Sequence, residues 1–171
     1  MIDITYFANQ AKMQQAIPAV ESQGRAAMAA RDLPVTLRGV VYPCHLDHMD
    51  HMNVQYYVGM FDQSSWVLLA SLGLDAQYFR QNRRGMAALE QTISYKSELR
   101  AGDMFEIRSA IIEVREKTVR LLHNMHKANT DTLAASTTIL GVHLDTEARK
   151  SLPLPAELLE RARAFTTAEI L

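Results

Sequence analysis

The run from Val54 to Leu72 constrains this chain more than any other. Val54, Tyr57, Val58, Phe61, Ser65, Leu68, Leu69 and Leu72 recur at three- and four-residue spacings, which lays one apolar stripe along a helix. Asn53 precedes it as an N-cap whose side chain can accept from a free N–H of the first turn. Gly73 follows as a C-terminal stop. Gly59, Ser64, Ser65 and Ala70 keep parts of the helix slim, which suits close approach to a sheet. A stripe of this kind must be covered, and the rest of the chain offers mainly strands to cover it.

Val35 to Tyr42 is β-branched and aromatic with no helical period, and Pro43 stops it. Ala87 to Leu99 alternates, with Ala87, Leu89, Ile93 and Tyr95 at period two. Met104 to Arg115 carries Phe105, Ile107 and Ile111 on one face, with Ser109, Glu113 and Arg115 assigned to the outer one. Thr118 to Ala128 and Leu133 to Leu144 complete the set. The polar connections Arg100–Asp103, Glu116–Lys117 and Asn129–Thr132 predict antiparallel neighbours. The expected class is α+β: a five-stranded antiparallel sheet wrapped around one long central helix.

Two further segments frame this unit. Residues 1–34, rich in Ala, Gln and Met and divided by Pro18, read as an N-terminal helical extension. Residues 35–171 read as the main domain. Within it, Asp75 to Gln81 reads as a short helical turn. Ala156 to Phe165 reads as a C-terminal helix with Leu158, Leu159 and Ala162 on one side.

A net charge of −1 removes the electrostatic case for binding nucleic acid or an anionic membrane. No stretch approaches the ~18 uninterrupted apolar residues of a membrane span. The single cysteine, Cys44, excludes an intramolecular disulfide, and the N-terminus lacks the basic and apolar regions of a signal peptide. These features predict a cytoplasmic protein.

Titratable side chains crowd one boundary. His45, Asp47, His48, Asp50 and His51 lie within seven residues, just before the helix. Such a cluster invites a metal. However, Pro43 and the Asn53 cap put the histidines ahead of the helix, and their order is not His-Glu-x-x-His. No metal is expected. Cys44 is a weaker nucleophile candidate, expected to pack at the strand end. His45 and His48 read as loop surface.

The ordered motif is more specific. Asp47, His51, Asn53 and Tyr57 precede and enter the helix; Tyr95 leads to Gly102-Asp103; Leu144-Asp145 leads to Leu152-Pro153-Leu154-Pro155. Together, over about residues 35–156, they resemble the hotdog-fold acyl-CoA thioesterases, in particular the 4-hydroxybenzoyl-CoA thioesterase-like family. One departure is Asp50, where that family has Gly. The resemblance implies hydrolysis of acyl-CoA to free acid and coenzyme A without a cofactor. It also implies a homodimer or homotetramer with sites between subunits.

Under that reading Asp47 is the nucleophile or general base, and the Val54 backbone N–H stabilises the oxyanion. His51, Asn53 and Tyr57 position the substrate. Each has a structural alternative: Asp47 capping a turn, His51 hydrogen-bonded for support, Asn53 only an N-cap, Tyr57 only core. Asp62 is either a second acid or a surface carboxylate. Arg80, Arg83 and Arg84, or Lys96 and Arg100, or Lys117 and Arg120, are candidates for the coenzyme A phosphates. Tyr56, Tyr57, Trp66 and Tyr78 suit an aromatic acyl group, or a cationic one through their ring faces. A hotdog enoyl-thioester hydratase and a non-catalytic acyl-CoA-binding protein are the rival readings.

Overall fold

A computed structural model describes residues 33–170, with side chains to residue 163. The expected N-terminal helical pieces lie outside the described residues. The elements in order are β1 (Val35–Val40), a 3-10 turn (Pro43–His45), α1 (Val54–Ser71), α2 (Ala76–Asn82), β2 (Arg84–Tyr95), β3 (Met104–Val114), β4 (Thr118–Lys127), β5 (Leu133–Asp145), β6 (Lys150–Ser151) and α3 (Ala156–Ile170). The strands form one antiparallel sheet in the order β1-β3-β4-β5-β2. This is the expected α+β arrangement, a curled sheet packed on one long helix. A sixth strand, unforeseen, adds to it where β6 pairs with Leu144 and Asp145. No helix of the described residues is long and apolar enough to cross a membrane.

One expected pairing is corrected. β2 and β3 are not neighbours; β2 lies at the far edge, paired with β5. The Arg100–Asp103 turn does form, with Asp103 N–H donating to the Arg100 carbonyl at 3.0 Å. It belongs to a crossover from Lys96 to Asp103, which is long enough to cross the end of the sheet. The crossover starts on β5, where Lys96 and Ser97 N–H donate to Ala134 O, and finishes beside β1, where Gly102 N–H donates to Val41 O. Leu99, fully buried, plugs the core midway.

Asn53 caps α1 as expected, its Oδ1 accepting from Gln55 N–H at 3.0 Å. Gly73, at φ 95°, follows the last turn, and Arg161 of α3 donates Nη1 to Leu72 O at 3.0 Å. Tyr57, Phe61, Ser65, Leu68, Leu69 and Leu72 are buried. Val54 and Val58, expected on the same stripe, are instead 57% and 39% exposed. With Asp62 and Trp66 they run at four-residue intervals down a flank that stays partly open to solvent.

Two strand faces also differ from expectation. Ala88 pairs with Gly141 and Glu90 with Leu140, so Leu89 is an extra, bulged residue and is 60% exposed. The bulge shifts the alternation by one; Ala87 and Leu89 therefore do not share the face of Ile93 and Tyr95. Ser109 shares the inner face of Phe105, Ile107 and Ile111, because residues two apart point the same way, and it is fully buried.

The core has two halves. Tyr57 and Phe61 pack with Phe105, Ile107 and Met125. Leu68, Leu69 and Leu72 pack with Ile111, Val119 and Leu121, closed by Leu154 and Ala162. Ser65, Ser109 and His123 each fall between these halves along their own element, and both serines bond to the imidazole.

Candidate active site

The corner between β1 and α1 is built by short-range bonds. Leu46 and Met52 form an isolated bridge that pinches the intervening loop. Inside it, Asp47 N–H donates to His51 O and Asp50 N–H to Asp47 O, both at 3.1 Å. Asp50 has φ 58°. It adopts the left-handed conformation that a glycine would hold there, and Asp tolerates that region better than most residues.

Asp47 Oδ1 accepts from Met49 N–H at 2.8 Å, so the turn-capping reading is realised. Oδ1 also lies 3.8 Å from His51 Nδ1. Oδ2 is free of hydrogen bonds among the described residues, which leaves it available for chemistry. Val54 opens α1, so its N–H has no intrahelical acceptor. It carries the partial positive charge of a helix N-terminus.

Tyr57 is only 4% exposed, and its ring meets Tyr95 edge-on with centroids 5.2 Å apart. Burial pushes its phenol up to about 12, so it remains a neutral hydroxyl at ordinary pH. It is core and pocket wall at once.

A groove of about 620 Å³ opens beside this corner. His51, Val54 and Tyr57 line it, facing Tyr95, Lys96 and Glu98. Asp47 and Asn53 do not line it; Asp47 approaches through His51, and Asn53 through the helix cap. Glu98 lies at the end of the alternating Ala87–Leu99 stretch, whose pattern does not mark it as a site residue. Among the basic candidates Lys96 lines the groove, whereas Arg83 and Arg84 are paired with Glu147 and Asp145 and Arg100 with Glu98.

The neighbouring side chains sort themselves. His45 is more than loop surface: its Nδ1 accepts from Tyr42 N–H at 3.1 Å, and its ring packs on Tyr56 at 4.6 Å. Tyr56 Oη donates to Cys44 O at 2.8 Å. The Cys44 side chain is exposed, in the 3-10 turn, rather than packed at the strand end. His48 is exposed. Among the described residues no group of three His, Cys, Asp or Glu side chains converges to hold a metal.

Comparison with known proteins bears on what this corner does. The family model of the thioesterase-like superfamily matches residues 41–162. Betainyl-CoA thioesterase of Pseudomonas aeruginosa is 23% identical over 128 residues, covering 75% of this chain and 80% of that one. A Staphylococcus aureus protein solved in complex with CoA superposes with a TM-score of 0.75 at 21% identity, covering 85% of this chain and 90% of that one. The 1,4-dihydroxy-2-naphthoyl-CoA thioesterase of Synechocystis superposes with a TM-score of 0.67 at 17% identity, covering 75% and 95%. The chain belongs to the thioesterase-like superfamily and is a hotdog-fold acyl-CoA thioesterase.

Proposed function

We propose that hydrolysis is carried out at the corner where Asp47 and His51 meet the first turn of α1. The observation that carries this is the Asp47 carboxylate, 3.8 Å from His51 Nδ1 and with Oδ2 unengaged, one loop away from the open N–H of Val54. Asp47 delivers the nucleophile, either as its own Oδ2 or as a water that it deprotonates. Attack on the thioester carbonyl forms a tetrahedral oxyanion, which the Val54 N–H stabilises. The C–S bond then breaks and coenzyme A leaves, taking up a proton. Where Oδ2 itself attacks, water hydrolyses the resulting anhydride and regenerates the carboxylate. His51 orients the acyl group or the water, Asn53 holds the helix start, and the Tyr57 hydroxyl lines the site. Lys96 serves the coenzyme A phosphates. No cofactor takes part.

The working unit in this reading is a homodimer, which can pair further into a homotetramer. Among the described residues β2 ends the sheet with one edge unpaired. Its exposed Leu89 and Tyr95, and the exposed Val54 of α1, are an apolar surface of the kind a second copy covers. An exposed single thiol at Cys44 suits the reducing cytoplasm.

The test is release of free coenzyme A from an acyl-CoA panel that includes betainyl-CoA, acetyl-CoA and an aromatic acyl-CoA. At least one substrate should turn over in the wild type, and Asp47→Ala should abolish that turnover. Equal turnover by Asp47→Ala would overturn the assignment. Sedimentation velocity reads the oligomer, and a monomer at micromolar concentration would refute the dimer.

A further inference from the structure

A second cavity of about 210 Å³ lies further along α1, between that helix and the sheet. Its walls are largely apolar, with Leu69, Val119 and Ile139 among them. Asp62 is the one charged side chain lining it among the described residues, and Trp66 stands one turn beyond on the same wall. We infer that this cavity binds an organic ammonium group, with the Asp62 carboxylate as its counter-charge and the Trp66 indole as its ring wall.

The other polar groups there are already engaged. Ser65 Oγ donates to Phe61 O and contacts His123, while Gln91 Nε2 donates to Thr137 Oγ1 at 3.5 Å. Asp62 is different. Its Oδ2 accepts from Trp66 Nε1 at 3.2 Å, which fixes the carboxylate against the indole and leaves acceptor capacity over. Trp66 also makes an edge-on contact with Phe79, centroids 5.7 Å apart.

A carboxylate beside apolar walls is poorly matched to a neutral apolar ligand, which would desolvate it without compensation. An inorganic cation would forgo the apolar walls. An alkylated ammonium satisfies both: its charge meets the carboxylate, its alkyl groups meet the walls, and a Trp face attracts it further. The groove at the catalytic corner and this cavity share the same two walls, since Tyr57 and Val58 adjoin on α1 while Gln91 and Ile93 follow one another on the inner face of β2. Resting on the thioesterase reading, the ammonium belongs to the acyl group, and the cavity selects cationic acyl chains.

The experiment exploits Trp66 being the only tryptophan in the chain, so that intrinsic fluorescence reports from the cavity wall. The full-length protein is titrated, without coenzyme A, with choline and with its neutral isostere 3,3-dimethylbutan-1-ol. Choline should perturb the emission and bind on the order of tenfold tighter than the alcohol. Asp62→Asn should remove that preference, and Asp62→Glu should restore part of it. Asp62 is exposed, so these variants fold, which circular dichroism checks. Equal binding of the two ligands, no response to either, or a preference that survives Asp62→Asn overturns the inference. Because the readout is binding, its failure is separable from a failure of turnover.

Discussion

His123 Nε2 lies 2.9 Å from Ser65 Oγ, joining the sheet to the central helix inside the core. Ser65 spends its own proton on Phe61 O, so the imidazole donates from Nε2. Nδ1 then accepts from Ser109 Oγ at 2.6 Å, and Ser109 in turn contacts Thr36 Oγ1 at 2.6 Å. One neutral tautomer of a fully buried histidine thus ties β1, β3, β4 and α1 together.

That tether makes stability depend on pH. Burial lowers His123 from 6.5 to about 4. The unfolded chain therefore binds more protons than the folded one between those values, and stability falls as the medium is acidified through that window. It is fully present above about 6.5. The full swing is on the order of 3 kcal/mol. His143, also lowered chiefly by burial, adds in the same direction. Denaturant midpoints at pH 7.5 and pH 4.5 should show the loss, and His123→Leu should be less stable at neutral pH yet show a shallower slope. An unchanged slope would refute this account.

Val54→Pro isolates the proposed oxyanion donor. Proline is well accepted at the first helical position because that N–H has no intrahelical acceptor. Asn53 already has the extended backbone that precedes proline, φ −66° and ψ 144°. The variant should keep its melting temperature within a few degrees while kcat drops by about 10²–10³. Steady-state kinetics beside a thermal melt measures both, and undiminished kcat would show that the oxyanion is held elsewhere.

Asp50 should tolerate glycine and refuse β-branching. At φ 58°, a valine is forced into a conformation it rarely adopts, and Asp50→Val should cost about 1–2 kcal/mol. Asp50→Gly should not destabilise beyond about 0.5 kcal/mol, since relief of backbone strain offsets the added freedom of the unfolded chain. Urea titration of the two variants gives the comparison.

Gly39 of β1 makes room for an aromatic ring. A Cβ there would stand 2.6 Å from Phe105 Cζ, and that ring is buried. Gly39→Ala should destabilise by about 1–3 kcal/mol. Phe105→Leu in the same chain should recover part of that loss, a coupling that a double-mutant cycle reads directly.

Much of the candidate site was legible because it is local. Asp47, His51, Asn53, Val54 and Tyr57 fall within eleven residues, and the cap and the loop that arrange them are short-range structures. The facing wall was legible only in part. Lys96 stood among several basic candidates and Glu98 among none; both reach the groove only because the crossover brings a distant segment across. Asp62 and Trp66 were noticed separately; their shared cavity exists only once β2 and β5 lie beside the helix.

Sequence by itself determined that one capped helix would be enclosed by a handful of strands, because side-chain period and capping are properties of a few adjacent residues. It did not determine which face would be covered. Val54 and Val58 turned outward, and β2 went to the far edge rather than beside β3. Those outcomes depend on which strand pairs with which, and on how far the curled sheet reaches around α1. Local periodicity carries no record of either.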